Sequence, residues 1–298
     1  MDREIKVEDL KVKLLAISGS GRHANTELAL KTTLEKSKEE RPDWVSETEF
    51  ISLADLNLIP CTGCMKCWGW RAPADDEDFE CYESHDDSAM VIKRMKWADG
   101  IIIGTPNYNG GVSSRLKILM EKCHCFGHLS YTRNAGKLMY KPIAVQTVGM
   151  TDWSGHAMVR LEVIRWALSM GMWIAGGGWG GAYGDTLPNR GYATTIDSKN
   201  PFDGNAILKE SDKYIPPYTG SMNMRGARNK GRGVVWTAMR SKAALLQAER
   251  EGVKLPELRP WKSYPVKPEK GSYLDELVQQ GKIELDPDAS TPNWLGYP

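Results

Sequence analysis

The chain has 298 residues, with 39 basic and 38 acidic side chains and a formal net charge of +1. A balance so close to neutral gives no electrostatic reason to expect binding to nucleic acid or to a membrane surface. With 41% hydrophobic and 26% charged residues, the composition is that of a soluble globular protein. The length suits one large α/β domain with extensions.

The expected compartment follows from the segments that the sequence lacks. Residues 1–9 are charged and contain no apolar core, so they do not form an export signal. No apolar run approaches the roughly 20 residues needed to span a bilayer. We therefore expect a cytoplasmic protein with no membrane partner, in which clustered cysteines serve as metal ligands or redox groups rather than disulfides.

The chain begins with a strand, a small-residue loop and a helix. Lys11–Ser18 is a short apolar run typical of a buried parallel strand, and Gly19–Gly21 follows it as a tight loop. Glu27–Lys38 has helical spacing, and Asn25 or Thr26 is a suitable N-cap. Backbone N–H groups and the helix dipole meet at such a junction, which predicts a phosphate site.

The side chains of this first loop suit an anion. Ser18, Ser20 and Thr26 can donate hydrogen bonds from their hydroxyls, and Arg22 adds positive charge. The loop is not a Walker loop, because the Gly-Lys-Ser/Thr ending is missing. A dinucleotide fingerprint that ends at Ala24 is only weakly matched, because no acidic residue closes the second strand in the right place.

The cysteines follow a second predicted strand, Val45–Leu53. Cys61, Cys64 and Cys67 are spaced by two residues, and Cys81 follows after an acidic stretch at 75–78 that favours a surface loop. Four thiolates suit either an iron–sulfur cluster or a zinc ion. Three cysteines at this spacing favour a cluster over the paired spacing of zinc ribbons.

Three more strands and three helices alternate in the next hundred residues. The predicted strands are Gly100–Thr105, Pro142–Thr147 and Met172–Ala175, and the predicted helices are Asp86–Trp97, Ser114–Cys123 and His156–Met170. With the first two strands they predict an α/β fold: a doubly wound, five-stranded parallel sheet. Ligands of such sheets bind at the carboxyl ends of the strands.

The loops after the third and fourth strands add to that edge. Pro106–Ser113 is rich in turn-forming residues and places Tyr108 at its tip, where an aromatic ring can stack on a flat ligand. Residues 148–155 form the loop after the fourth strand. Three loops around one site suit a mononucleotide, with the phosphate in the first loop and the ring between the other two.

Other reactive side chains are weaker candidates. Cys123 and Cys125 are interpreted as half-buried thiols at the end of an amphipathic helix, with an extra ligand or a substrate-facing thiol as the alternative. No catalytic residue is identified, and Tyr108 and His156 are the two candidates. His128 is interpreted as a structural histidine.

The last third of the chain has little periodicity. We divide it into an irregular insertion at 182–230, a last core helix at 231–251 and a Pro- and Trp-rich tail at 252–298. The core that precedes them is 1–181, with the cysteine loop at 61–81.

Two loops and the cysteines together resemble a known family. Ser18–Thr26 resembles the phosphate loop of the NAD(P)H-dependent FMN reductase and flavodoxin-like family, and Thr105–Ser113 resembles its second flavin loop. With the cysteine spacing, the chain is most similar to the iron–sulfur flavoprotein branch. The resemblance covers Lys11–Gly178, and 231–251 is interpreted as the last helix of that fold.

The resemblance implies a flavodoxin-like fold with non-covalent FMN. The residues that would hold the phosphate are Ser18, Ser20, Arg22, Asn25 and Thr26. Those that would line the isoalloxazine are Pro106, Asn107, Tyr108, Asn109 and Gly110, with Thr147, Gly149 and Trp153 on its other side. A [4Fe–4S] cluster would be bound by Cys61, Cys64, Cys67 and Cys81. The chain departs from the family here, because thirteen residues separate Cys67 from Cys81.

The function that the resemblance implies is electron transfer through FMN. We expect an oxidoreductase with a probable [4Fe–4S] cluster that connects a reduced donor, such as NAD(P)H, to a small-molecule acceptor or a redox partner protein. One alternative is a cluster-free NAD(P)H-dependent FMN or quinone reductase, with vestigial or zinc-binding cysteines. Another is a non-catalytic electron carrier or redox sensor. An exposed flavin edge implies a homodimer or homotetramer.

Overall fold

The computed structural model describes residues 5–23, 25–63, 67, 85–126, 136–149, 155–175, 186–188, 217–253, 264–265, 270–271, 273–281 and 290–291. The main strands are β1 (Val12–Ser18), β2 (Val45–Ser52), β3 (Gly100–Pro106), β4 (Pro142–Gly149) and β5 (Trp173–Ile174). The main helices are α1 (Asn25–Glu40), α2 (Ser88–Trp97), α3 (Ser114–Lys122), α4 (His156–Ser169) and α5 (Pro217–Arg250). No helix in this part of the chain is both long and apolar enough to cross a membrane.

The strands form one parallel sheet in the order β2-β1-β3-β4-β5. This order is that of flavodoxin-like proteins, whose ligand lies at the β1/β3 switch point. The predicted α/β fold with a doubly wound five-stranded sheet is therefore confirmed. Short 3-10 helices occupy Val7–Leu10, Leu53–Asp55 and Cys123–Phe126, and the remaining elements are β6 (Thr186–Pro188), α6 (Tyr273–Gln279) and an antiparallel pair, β7 (Tyr264–Pro265) and β8 (Ser290–Thr291).

Both faces of the sheet are buried, because helices cover each of them. Alternate residues of β1 and β3 point to opposite faces. On one face Ile17 and Ile103 pack in a core that includes buried side chains of α2, α3 and α4. On the other face Leu14 and Ile102 pack in a core that includes α1 and α5. Runs of apolar residues therefore suffice to form the strands, as expected for a parallel sheet.

The region predicted as an irregular insertion at 182–230 differs from that prediction at two places. Thr186–Pro188 forms β6, which pairs in parallel with Thr147–Gly149 at the end of β4, while β5 pairs with the start of β4. A three-residue strand is too short to show a period. Helix α5 begins at Pro217 instead of at 231. Its first half contains Gly220 and Gly226, which are poor helix formers, so the sequence does not predict a helix there.

Helix α5 contacts α1 closely at a glycine. A Cβ atom built on Gly231 would lie 2.9 Å from the Thr33 carbonyl oxygen and would overlap the Ser37 side chain. The Ser37 hydroxyl donates to that same carbonyl over 2.7 Å, so its position is fixed. A residue without a side chain is therefore required where the two helices cross.

We predict that Gly231→Ala lowers the free energy of unfolding by about 1–3 kcal/mol, because overpacking must push the two helices apart. Urea unfolding followed by circular dichroism measures the change. Arg240→Ala, at an exposed position of the same helix, is the matched control and should change stability by less than about 0.5 kcal/mol. Equal stability of the two variants would contradict the close approach.

Candidate functional site

The loop after β1 is shaped by its own serines. Ser18 and Ser20 are buried. The Ser18 hydroxyl oxygen accepts the Ser20 N–H over 3.4 Å, and the Ser20 hydroxyl oxygen accepts the Arg22 N–H over 3.2 Å. The Ser20 hydroxyl donates to the Arg22 carbonyl over 2.7 Å. In this structure Ser20 therefore fixes the shape of the loop, and Arg22 is half-buried beside it.

This loop leads directly into the N-terminus of α1. The helix begins at Asn25, whose side chain lies outside the described residues, and Thr26 is buried in its first turn. The first N–H groups of a helix have no partner within the helix, and the helix dipole places partial positive charge there. The predicted phosphate-holding residues therefore occupy an arrangement that binds anions.

The loop after β3 contains a tight two-residue turn. The N–H of Tyr108 donates to the Gly111 carbonyl, and the N–H of Gly111 donates to the Tyr108 carbonyl, both over 3.1 Å. The residues between them, Asn109 and Gly110, have φ angles of 52° and 82°, as an Asn-Gly hairpin turn requires. The Asn107 side-chain oxygen accepts the Gly110 N–H over 3.0 Å. Tyr108 is 47% exposed at the tip, as predicted from the sequence.

The loop after β3 lies against the end of β4 and the start of α4. The N–H of Asn107 donates to the Val148 carbonyl over 2.7 Å. A Cβ atom built on Gly155 would lie 3.6 Å from the Gly110 Cα atom and 3.9 Å from Asn107 Nδ2. Thr147 is buried, Pro106 is buried at the end of β3, and Gly149 ends β4. Trp153 lies outside the described residues.

Ser113 ties the first loop to the second, and sequence reasoning missed it. Its hydroxyl donates to the Gly19 carbonyl, and its hydroxyl oxygen accepts the Leu116 N–H over 3.2 Å as the N-cap of α3. Its own N–H donates to the Thr105 hydroxyl oxygen over 3.3 Å. A serine before a helical run signals the cap, but the contact with Gly19 spans 94 positions and has no local signal.

Two of the four predicted metal ligands lie among the described residues. Cys61 and Cys67 are half-buried and form no disulfide, whereas Cys64 and Cys81 lie outside the described residues. The Cys61 sulfur accepts the Gly63 N–H over 3.4 Å, in a turn where Gly63 has φ 67°. No three metal-ligating side chains come together among the described residues. The four-cysteine site therefore stays a prediction.

The two ends of the cysteine-bearing segment are held together. The Asp87 carboxylate accepts the Asn57 N–H and the Asp86 carboxylate accepts the Ile59 N–H, each over 2.7 Å. In return the N–H of Asp87 donates to the Asn57 carbonyl over 2.9 Å. The two chain positions from which the cysteine-bearing segment starts and ends, 57–59 and 86–87, are therefore fixed beside each other and form the base of what we call the cysteine loop. No local sequence pattern pairs positions about 30 apart, so sequence reasoning missed this base.

The base of the cysteine loop contains a buried ion pair. Lys122 Nζ lies 3.4 Å from Asp86 Oδ2, and both side chains are buried. Burial of Asp86 opposes its ionisation, but hydrogen bonds from Ser88 and the Ile59 N–H, with the charge of Lys122, outweigh it and lower the pKa of Asp86. From the neighbouring α3, Arg115 donates to the Leu53 and Leu56 carbonyls, both over 2.7 Å.

The remaining candidates are placed less favourably for chemistry. Cys123 and Cys125 are fully buried on a short 3-10 helix, so the expectation of half-buried thiols at the end of α3 is wrong. Cys123 Sγ lies 3.8 Å from Met95 Sδ, which indicates packing rather than contact with a substrate. His156 begins α4, and its side chain and all of His128 lie outside the described residues.

The described residues fit an FMN at this edge of the sheet. The helix N-terminus after a loop of buried serines suits a phosphate, and the exposed ring of Tyr108, with the loop after β3 packed on the end of β4, suits a flat ring system. A parallel sheet in this strand order, with such loops after β1 and β3, is typical of a flavodoxin-like flavin-binding protein.

The chain belongs to the NADPH-dependent FMN reductase family, whose sequence profile matches residues 12–183. Within it, the chain belongs with the iron–sulfur flavoproteins. It is 30% identical over 179 residues to one from Archaeoglobus fulgidus, covering 59% of this chain and 83% of the relative. It is 45% identical over 112 residues to one from Methanocaldococcus jannaschii, covering 37% of this chain and 51% of the relative. The chain therefore spans about half the length of that second relative.

Among solved structures, the chain is similar in fold to RosB with bound 8-demethyl-8-formylriboflavin-5'-phosphate. The TM-score is 0.50 at 16% identity, and the match covers 88% of this chain and 98% of RosB. This similarity confirms the fold class.

We predict that Ser113→Ala lowers the free energy of unfolding by about 1–2 kcal/mol and weakens FMN binding, because it removes both the N-cap of α3 and the contact with Gly19. Thermal unfolding and fluorescence titration with FMN measure the two effects. Ser114→Ala, at the exposed next position, is the matched control and should change neither by much. If Ser113→Ala behaves like Ser114→Ala, the hydroxyl does not join the loops.

Proposed function

We propose that the chain is an FMN-dependent oxidoreductase with a [4Fe–4S] cluster, which moves electrons between a reduced donor, FMN and a small-molecule acceptor. The observation that carries the proposal is that the loops after β1 and β3 and the end of β4 contact one another at one sheet edge, with the base of the cysteine loop linked to the same region by Arg115. Bound FMN exchanges electrons singly or in pairs, and a cluster exchanges them singly. NAD(P)H is the proposed electron donor, and this proposal is supported only by the family to which the chain belongs.

The protein supplies binding and orientation rather than reactive side chains. The N-terminus of α1 and the charge of Arg22 would hold the phosphate, and Ser20 would keep the loop in shape. Two backbone hydrogen bonds between Tyr108 and Gly111 close the turn, so it would keep the backbone of Tyr108 in place beside the isoalloxazine. Because the Asn107 N–H is used by Val148, the loop after β3 keeps its place against β4.

The base of the cysteine loop lies close to the proposed flavin site, so a cluster bound by this loop could exchange electrons with FMN. Residues Leu53–Ile59 connect β2 to Cys61, and Arg115 of α3 binds two of their carbonyls. Helix α3 itself starts at the second flavin loop. The N–H donated to Cys61 Sγ suits a thiolate ligand, since hydrogen bonds to sulfur stabilise its negative charge. The fixed base also supports Cys81 as the fourth ligand. It keeps the residues that follow Cys81 close to those that precede Cys61.

We predict that the anaerobically purified protein contains FMN and about four iron atoms per chain. Cys81→Ser should lower the iron content and the broad iron–sulfur absorption, while FMN stays bound. Cys125→Ala, which removes a buried thiol outside the motif, is the control and should keep its iron. Metal analysis and the visible spectrum measure both.

Each other outcome selects a different function. FMN without iron in the wild-type protein would contradict the cluster and favour a cluster-free FMN or quinone reductase, and bound zinc would do the same. Unchanged iron in Cys81→Ser would mean that the fourth ligand lies elsewhere. A cluster-containing protein without NAD(P)H or acceptor turnover would favour an electron carrier or a redox sensor.

We also propose that the chain forms a homodimer or homotetramer. Helix α4 exposes Met158, Leu161 and Leu168 by 65%, 53% and 59% on one side. An apolar stripe of this kind supports an interface, because contiguous apolar surface is unfavourable in water.

We predict that the double variant Met158→Glu, Leu161→Glu has a lower mass in light scattering than the wild-type protein, with its thermal stability retained. Met90→Glu introduces one such carboxylate at an exposed methionine of α2 and should leave the mass unchanged. A monomeric wild-type protein, or an oligomer that resists the double change, would contradict this interface.

A further inference from the structure

His23, at the end of the first loop, bridges two carboxylates on different elements. Its Nδ1 lies 2.9 Å from Glu27 Oε1 in the first turn of α1. Its Nε2 lies 2.7 Å from Asp55 Oδ1 in the 3-10 helix after β2. The imidazole therefore connects the phosphate loop to the neighbouring strand's loop, although His23 belongs to none of the residue sets predicted to hold FMN.

One of these carboxylates is buried beside the expected phosphate. Glu27 is 2% exposed, and its other contacts are the Ser52 hydroxyl and Lys31 Nζ at 3.5 Å. A buried negative charge is unfavourable unless it is paired, and it would repel a second anion placed near the same helix end. A positive charge on His23 compensates for both effects.

The bridge is complete only when the imidazole is protonated. A neutral imidazole has one N–H donor, whereas the protonated ring has two. Both partners are carboxylates, which only accept when ionised, so the neutral ring satisfies one of them. The hydrogen bond to Glu27, with the charges of Glu27 and Asp55, outweighs partial burial and raises the pKa of His23.

Three basic residues lie near the bridge in the part of the chain that the structure describes. Lys31 lies on α1 beside Glu27, Arg22 precedes His23 in the loop, and the Arg115 side chain passes Gly21 with its Cδ 3.6 Å from a Cβ built there. Among the side chains that face the bridge, histidine is the type whose ordinary pKa lies nearest to neutral pH. A change of charge as the pH rises above the ordinary histidine pKa is therefore assigned to His23.

We propose that His23 is a positioning residue for FMN: the protonated ring holds the phosphate loop against α1 and β2, and FMN affinity falls when the proton is lost. The proposal rests on FMN as the bound cofactor. The raised pKa of His23 sets the direction of the pH dependence. The favourable contribution of the protonated ring to FMN binding is present at low pH and is lost as the pH rises through that pKa. His23 acts by holding the phosphate loop in shape and by its positive charge. Its effect is therefore expected on the phosphate group of FMN rather than on the isoalloxazine ring.

The test compares FMN with riboflavin, which lacks the phosphate. The dissociation constants of the flavin-free protein are measured by fluorescence titration between pH 7 and 9, where the phosphate, with a second pKa near 6, is already a dianion. We expect the FMN constant to rise about tenfold across this range, the equivalent of a one-unit pKa difference between free and bound protein. The riboflavin constant should stay nearly level.

Three variants test the residue itself. His23→Gln should bind FMN weakly at pH 7 and lose the pH dependence, whereas His23→Arg, which stays charged, should bind tightly at pH 9. Asp55→Asn, at a carboxylate that is 60% exposed, should shift the rise to lower pH because it removes one negative partner of His23. Thermal unfolding of each variant shows that the fold is kept.

A full pH dependence in His23→Gln, or an equal one for riboflavin, would overturn the proposal. Tight FMN binding that does not vary with pH in the wild-type protein would overturn it too, while leaving the proposed function intact. Failure to bind FMN at any pH would instead overturn the proposed function, and the role of His23 with it.

Discussion

The central strand β3 is the constraint on which the rest of the site depends. All of Gly100–Pro106 is buried, and the strand pairs with β1 on one side and β4 on the other. Its Gly104 has no room for a side chain, because a Cβ there would lie 2.7 Å from Leu30 of α1. The Gly104 carbonyl accepts the Gly19 N–H over 2.7 Å. The helix and the loop that would hold the phosphate are thus both set by one position in β3.

Polar side chains then fix each loop relative to that strand. Ser113 binds the Gly19 carbonyl, His23 and Ser52 bind Glu27, and Asp86 binds the Ile59 N–H. Most of these groups are buried, where a polar atom left without a partner is costly. Each contact is therefore well defined, and the chain's own hydrogen bonds hold these loops in place at the sheet edge.

Local sequence patterns predicted the strands and turns, but they did not predict contacts between residues that are distant in the sequence. Strands β1 and β3 follow from apolar runs, β2 follows from alternation, and the turn at Tyr108 follows from Asn109-Gly110, because each signal lies within a few residues. The pairing of Asn57 with Asp87 and of His23 with Asp55 depends on how β2 packs beside β1 and α2, which no short window contains. The short β6 has only three residues, too few to show the alternation that marks a strand in a sequence. Burial of Cys123 likewise depends on Met95 of another helix.

The segment Leu53–Ile59 links the expected flavin site with the cysteine loop. Asp55 contacts His23 at the phosphate loop, and the carbonyls of Leu53 and Leu56 accept from Arg115. A few residues further on, Asn57 and Ile59 form one side of the base that holds the cysteine-bearing segment. One short piece of chain thus contacts both places where a redox group would bind. Loss of the His23 bridge would therefore alter contacts of a segment that also forms one side of this base. With FMN and a cluster bound as proposed, the shared segment would hold them at a nearly constant separation, which would favour electron transfer between them.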